Sequence, residues 1–261
     1  MVLLLKARSK CYAADIPGGG ADWSALPIAW NGFVHIAVAP SKFEDLVMDR
    51  NRLDLSETEI SARLQRAYQI ANSQPDFSES PYPSELLPDS PRPAAVLIPL
   101  LHVADGWQIL FTRRNSTLAE HSGQVAFPGG RSEPGDRSPE GTALREAHEE
   151  IGLAPEDVRI LGRLNDFITI TNYAVTPIVS AIPWPYEFTI QKEEVSRVFT
   201  ISLAWLSDPL HHEVRRRPIP SLGSHVDVIY FQPYDGELLW GASARFTLTL
   251  LNILGVFDAE R

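Results

Sequence analysis

One stretch constrains this chain more than any other, Phe127 to Leu153, which reads F-P-G-G-R-S-E-P-G-D-R-S-P-E-G-T-A-L-R-E-A-H-E-E-I-G-L. Its second half has the marks of a short helix. Ser138 is placed to cap it, and Pro139 stands at the first helical position, where a missing N–H costs nothing. Gly152 supplies the left-handed residue that stops it. Ala143, Leu144, Ala147 and Ile151 recur at helical spacing and form an apolar stripe. Glu146, Glu149 and Glu150 lie at i, i+3 and i+4 on another face, so their carboxylates converge. Taken alone, such a face is most simply a solvated one. Divalent cations such as Mg²⁺ or Mn²⁺ would reverse the repulsion, because they take carboxylate oxygens together with substrate phosphates. Ahead of the helix, Gly129 and Gly130 allow a tight turn in which backbone can approach a ligand closely.

The stretch resembles the Nudix box, in which a glycine and a glutamate precede R-E-x-x-E-E-x-G. Arg145-Glu146, Glu149-Glu150 and Gly152 match, with Ile151 and Leu153 in the apolar places. Asp136 stands where the first glutamate would fall, one residue further from Arg145 than the pattern has it. That variant is similar to the coenzyme A pyrophosphatase-like Nudix hydrolases, whose preceding signature reads L-L-T-x-R-S-x-x-x-R-x-x-x-G-x-x-x-F-P-G-G. Leu110, Thr112, Arg114, Gly123, Phe127, Pro128, Gly129 and Gly130 fall at those spacings, while Phe111, Asn115 and Ala119 depart from it. Further on, T-N-Y-A-V-T-P-I-V, then Glu193-Glu194-Val195, then W-G-x-x-A-R from Trp240 also resemble the subfamily. The likeness covers residues 92–255.

The resemblance implies an α+β Nudix fold, a mixed β-sheet sandwiched between α-helices, here with an N-terminal helical extension. It implies Mg²⁺ or Mn²⁺ on Glu146 and Glu150, with Glu149 either a third ligand or the base that activates water. Glu194 is the other candidate base, and Arg145 orients a glutamate. Arg114 and the Gly129 and Gly130 backbone would face the substrate. The substrate class would be coenzyme A or its thioesters, cut to 3′,5′-ADP and phosphopantetheine. Alternatives are another nucleoside diphosphate derivative, such as ADP-ribose or a dinucleoside polyphosphate, or a binding module without catalysis.

The remaining chain sets limits on these readings. A formal charge of −10 argues against nucleic acid as partner, since that needs a basic patch. An anionic small molecule must therefore be met by local cations. No apolar run is long enough to span a membrane. The lone cysteine, Cys11, excludes an internal disulfide framework and fits a reducing cytoplasm.

Residues 1–47 form an extension that is hard to place, with loose chain around Gly18-Gly19-Gly20 and a short strand expected over Phe33–Ala39. Met48 is the only other methionine, so translation from Met48 is one hypothesis. Residues 48–91 read as a helix plus a proline-rich linker. Ser56 and Glu59 make a capping box, Leu55 and Ile60 a hydrophobic staple, and the helix should run Glu57–Ala71 as a packing brace or, alternatively, a homodimer arm.

Strands are expected over Ala95–Leu101 and Trp107–Thr112, joined through Asp105-Gly106. The polar loop that follows carries His121, which could contact substrate or simply tether backbone. Strands over Val158–Leu164, Phe167–Thr171, Val175–Ile182 and Val226–Phe231 and a helix over Ala242–Leu254 complete the domain. Arg215-Arg216-Arg217 reads as a solvated loop or, alternatively, a phosphate contact. The start site is testable by mass spectrometry of the native protein. A peptide from within residues 1–47 would rule out initiation at Met48.

Overall fold

The computed structural model describes residues 53–73, 80–115 and 123–256. The expected strand over Phe33–Ala39, the Met48 start and His121 lie outside the described residues. Helix α1 (Glu57–Asn72) begins where the capping box requires it. Ser56 N–H donates to Glu59 Oε2 at 2.8 Å, and Glu59 N–H donates back to Ser56 Oγ at 3.2 Å. Leu55, Ile60 and Leu64 are buried beneath it, so the staple and the apolar stripe are one surface.

Two long strands follow. β1 (Arg92–Val103) and β2 (Gly106–Arg114) form the hairpin. Its turn is Ala104-Asp105, and Gly106 opens β2 at φ 101°, a value only glycine takes readily. Short strands β3 (Val125–Ala126) and β4 (Gly129–Arg131) lead into α2 (Pro139–Ile151), the helix of the box. β5 (Arg159–Arg163), β6 (Phe167–Thr169), β7 (Tyr173–Ala181) and β8 (Val195–Ser202) complete the main sheet. One helical turn, α3 (Leu203–Leu206), then leads to a separate ribbon of β9 (His212–Ile219) and β10 (Ser224–Phe231), and α4 (Gly241–Ile253) closes the domain.

The main sheet runs β3-β2-β1-β7-β5, with β4 on β1, β6 on β7 and β8 on β2. β1 and β7 pair in parallel and the other pairs are antiparallel, so the sheet is mixed. Alternation along β1 builds two cores. Val96, Ile98 and Leu100 join Ile60 and Leu64 of α1 and Phe246, Leu250 and Leu251 of α4 on one face. Ala95, Leu97 and Leu101 join Ala143, Ala147 and Ile151 of α2 on the other. The sheet therefore lies between helices, as expected.

Two local readings change. Arg215-Arg216-Arg217 is not loop but strand β9, paired with Val226, Asp227 and Val228 of β10. Both strand faces there are solvated, so no alternation marks it in the sequence. Leu144 lies partly exposed outside the core stripe of α2, because Thr142 takes the buried place beside Ala143.

α1 is tied to the sheet rather than merely adjacent to it. Trp107 Nε1 donates to Leu55 O at 2.6 Å, and Ser61 Oγ donates to Leu161 O at 2.7 Å. A Cβ on Gly162 would come within 2.9 Å of Leu64 Cβ, so the strand passes close under the helix. Among the described residues no helix is long and apolar enough to cross a membrane. Leu64→Ala should cost about 2–5 kcal/mol, the range for an emptied core site. Urea unfolding checks it, and a loss under about 1 kcal/mol would mean that α1 packs loosely on the sheet.

Candidate active site

The loop and helix of the box are set by local chemistry. Ser138 Oγ accepts from Gly141 N–H at 3.2 Å, Pro139 occupies the first turn, and Gly152 ends the helix at φ 68°. There is no room beyond that end: a Cβ on Gly152 would fall 2.7 Å from Thr189 Cβ. The segment after β7 clasps the helix instead, through Thr189 N–H to Ile151 O at 3.0 Å and Gln191 N–H to Glu150 O at 2.9 Å. Three residues later that segment reaches Glu194, in the turn before β8.

Arg145 is the hub. Its Nε donates to Asp136 Oδ1 at 3.1 Å and its second terminal nitrogen to Asp136 Oδ2 and Arg131 O, both at 3.0 Å. The same guanidinium pairs with Glu146 Oε1 and Glu149 Oε2, each at 3.0 Å. Asp136 also accepts from Thr142 Oγ1 at 3.0 Å and Glu133 N–H at 2.9 Å. These bonds, Arg145 foremost, hold the Asp136 carboxyl down to about 2. The aspartate that departs from the box pattern thus anchors the loop to the helix.

The three glutamates do not share one face in equal measure. Glu146 and Glu150 are buried, one helical turn apart, whereas Glu149 is exposed and held by Arg145. Burial pushes Glu146 up to about 7 against the pull of Arg145, and Glu149 and Glu194 add to the rise. Glu150 is raised well above the ordinary carboxylate range, again by burial first, then by Glu146 and Glu194. Arg114, buried at the end of β2, and Gly129 N–H, 3.3 Å from Glu150 Oε2, partly offset that. A Cβ on Gly130 would lie 2.5 Å from Glu146 Cδ, so any larger residue there would displace that carboxyl.

Glu146, Glu150 and Glu194 therefore share one electrostatic environment, with Arg114, Gly129 and Gly130 around it. Glu149 stands at its rim. Among the described residues no three His, Cys, Asp or Glu side chains close on one point at ligating distance. The donor set nevertheless suits a hard divalent cation, being oxygen only and made of buried like charges that a cation would relieve. His148 is exposed, as the helix spacing predicts. Reasoning from sequence missed Arg131, whose carbonyl accepts from Arg145; its place directly after the glycine pair was the available signal.

The NUDIX domain family matches residues 91–222. The chain is 38% identical over 167 residues to a Nudix hydrolase, NudL, of Photorhabdus laumondii, covering 63% of this chain and 86% of that one. It is 39% identical over 157 residues to NudL of Yersinia pestis, covering 59% and 75%. A MutT/nudix family protein from Enterococcus faecalis superposes with a TM-score of 0.42 at 15% identity, over 76% of this chain and 74% of that one. The chain belongs to the Nudix hydrolases. It is a pyrophosphohydrolase of that family, whose members use divalent metal ions and generally act on nucleoside diphosphate derivatives.

Asp136 and Glu146, two of the perturbed carboxyls, act oppositely on stability. Glu146 is raised from 4.5 to about 7, so the folded state favours its protonated form, and that stabilisation drains away as pH rises across that window. Asp136 is lowered from 3.8 to about 2, so its contribution is present above 3.8 and lost as pH falls through about 2. Melting in chelator should show Tm declining from pH 4.5 to 7, with millimolar Mn²⁺ restoring it most at the upper end. A metal-free Tm that rises through that window would contradict the burial of Glu146.

Proposed function

We propose that this chain hydrolyses the diphosphate bond of coenzyme A or its thioesters, using Mg²⁺ or Mn²⁺, to give 3′,5′-ADP and (acyl-)phosphopantetheine. The observation that carries the hydrolytic part is the pair of buried carboxylates on α2 within the field of Glu194. The choice of coenzyme A rests on the residues before the box, Leu110, Thr112, Arg114 and Gly123 to Gly130. The chemistry needed is neutralisation of diphosphate oxygens and a more acidic attacking water, and divalent ions supply both.

The protein residues divide the remaining work. Glu146 and Glu150 offer the ligating oxygens, one turn apart on a helix that the 189–191 segment holds in place. Arg145 fixes the direction of Glu146 and Glu149, as groups behind a ligand set commonly do. The proton of the attacking water passes to a carboxylate oxygen of Glu149 or Glu194. Glu194 is favoured by its half-buried place beside the pair; Glu149 is already engaged by Arg145. Arg114 keeps a positive charge next to Glu150 and faces the same interior. His121, outside the described residues, is proposed as a further substrate contact.

Offered coenzyme A, ADP-ribose, NADH and deoxynucleoside triphosphates with Mn²⁺, the protein should cut coenzyme A most efficiently. Preference for ADP-ribose by about tenfold, ~1.4 kcal/mol in the barrier, would refute the subfamily reading. Glu150→Gln should lower turnover by about a hundredfold or more, on the scale of losing one stabiliser of transition-state charge. Its far-UV spectrum should be unchanged. Undiminished turnover would remove Glu150 from the ligand set.

A further inference from the structure

A cleft of about 480 Å³ opens beside the box, lined by Arg92, Pro93, Arg131, Ser132, Glu133 and Pro134. That volume lies within the range of ordinary small-ligand sites. Two elements bring its cations together. Arg131 ends β4 opposite Ala94 of β1, and Arg92 lies two residues earlier on β1, so both arginines belong to one sheet face. The Arg92 guanidinium rests on the Tyr173 ring, 4.4 Å from its centroid, which fixes its position without neutralising it.

Neither guanidinium forms an ion pair with a described residue, whereas Arg113, Arg145, Arg159, Arg163, Arg197, Arg215 and Arg216 all do. In a chain of net charge −10, two cations left unmatched in one cleft need a reason. Glu133 also lines the cleft, leaving it one positive charge in excess. The cleft is also coupled to the carboxylates. Arg131 O accepts at 3.0 Å from the same Arg145 nitrogen that meets Glu146 at 3.0 Å.

We propose that Arg92 and Arg131 form a subsite for a phosphomonoester carried by the substrate beside the diphosphate that is cut, and that this subsite sets specificity. It rests on the reading of the chain as a diphosphate hydrolase, but not on coenzyme A being the substrate. Arginine suits the task because its planar fork matches phosphate oxygens two at a time. A single charged hydrogen bond of this kind discriminates by about tenfold or more.

The test uses ligand pairs that differ only in that phosphate. By calorimetry with Mn²⁺ present, 3′,5′-ADP should bind the wild type about tenfold or more tighter than 5′-AMP. In the Arg92→Gln/Arg131→Gln double variant the ratio should fall close to one, while Arg92→Lys/Arg131→Lys recovers part of it. Kinetically, NADPH over NADH and coenzyme A over its 3′-dephospho form should show the same preference in KM rather than kcat. Equal binding of 3′,5′-ADP and 5′-AMP to the wild type overturns the subsite. So does a ratio that survives in the double variant, or a variant that weakens orthophosphate binding alone. A protein that prefers NADPH to NADH yet ignores coenzyme A keeps the subsite and refutes the coenzyme A reading.

Discussion

One guanidinium holds this site in register. Arg145 joins the loop before the helix, through Asp136 and Arg131 O, to two carboxylates on the helix itself. The contact to exposed Glu149 contributes little by itself, while those to Asp136 and Glu146 are largely shielded from solvent. Their value lies in sharing one rigid, planar group, so the loop cannot shift without breaking several charged hydrogen bonds together. The glycine pair, the sheet edge at β4 and the start of α2 all take their places from it.

Against that anchor, Glu146 and Glu150 stand inside the protein at considerable electrostatic cost. Burial alone would drive both towards neutrality, Glu194 raises both, and Glu146 raises Glu150 further. Arg114, the Gly129 N–H and Arg145 return part of that cost. A fold tolerates such a grouping where function requires it, and the family's use of divalent ions is the matching requirement. The rest of the architecture serves to keep the two side chains where they are. α2 is fastened below by Ala143, Ala147 and Ile151 and above by the backbone of residues 189–191.

Much of this was legible in the sequence because its signals were local. The capping box at Ser56 and Glu59, the Ser138-Pro139 start and the Gly152 stop each depend on residues within one turn, and all three fall as read. Strands β1, β2, β7 and β10 declared themselves by apolar runs. Other features depend on distant partners and carried no such mark. β9 was taken for loop because three consecutive arginines show no alternation, yet β10 pairs with it throughout. Helical spacing put three glutamates on one flank, but only the sheet edge decides which are buried. Gly130 lies against Glu146, and Glu149 was left to solvent. That Arg92 and Arg131 line one cleft follows from the β1–β4 register, which no spacing within either strand could reveal.

The clasp between the helix end and the 189–191 segment has a mechanical consequence. Because Gln191 N–H is bonded to the carbonyl of Glu150 itself, and Asn115 N–H and Asn115 Nδ2 tie down the carbonyls of Glu194 and Lys192 at 2.8 and 2.6 Å, helix and turn move as a single body. The tether from Gln191 to Glu194 is too short to absorb an inserted or deleted residue. Substitution of its side chains leaves that link intact, whereas any change in its length would swing one carboxylate away from the other two.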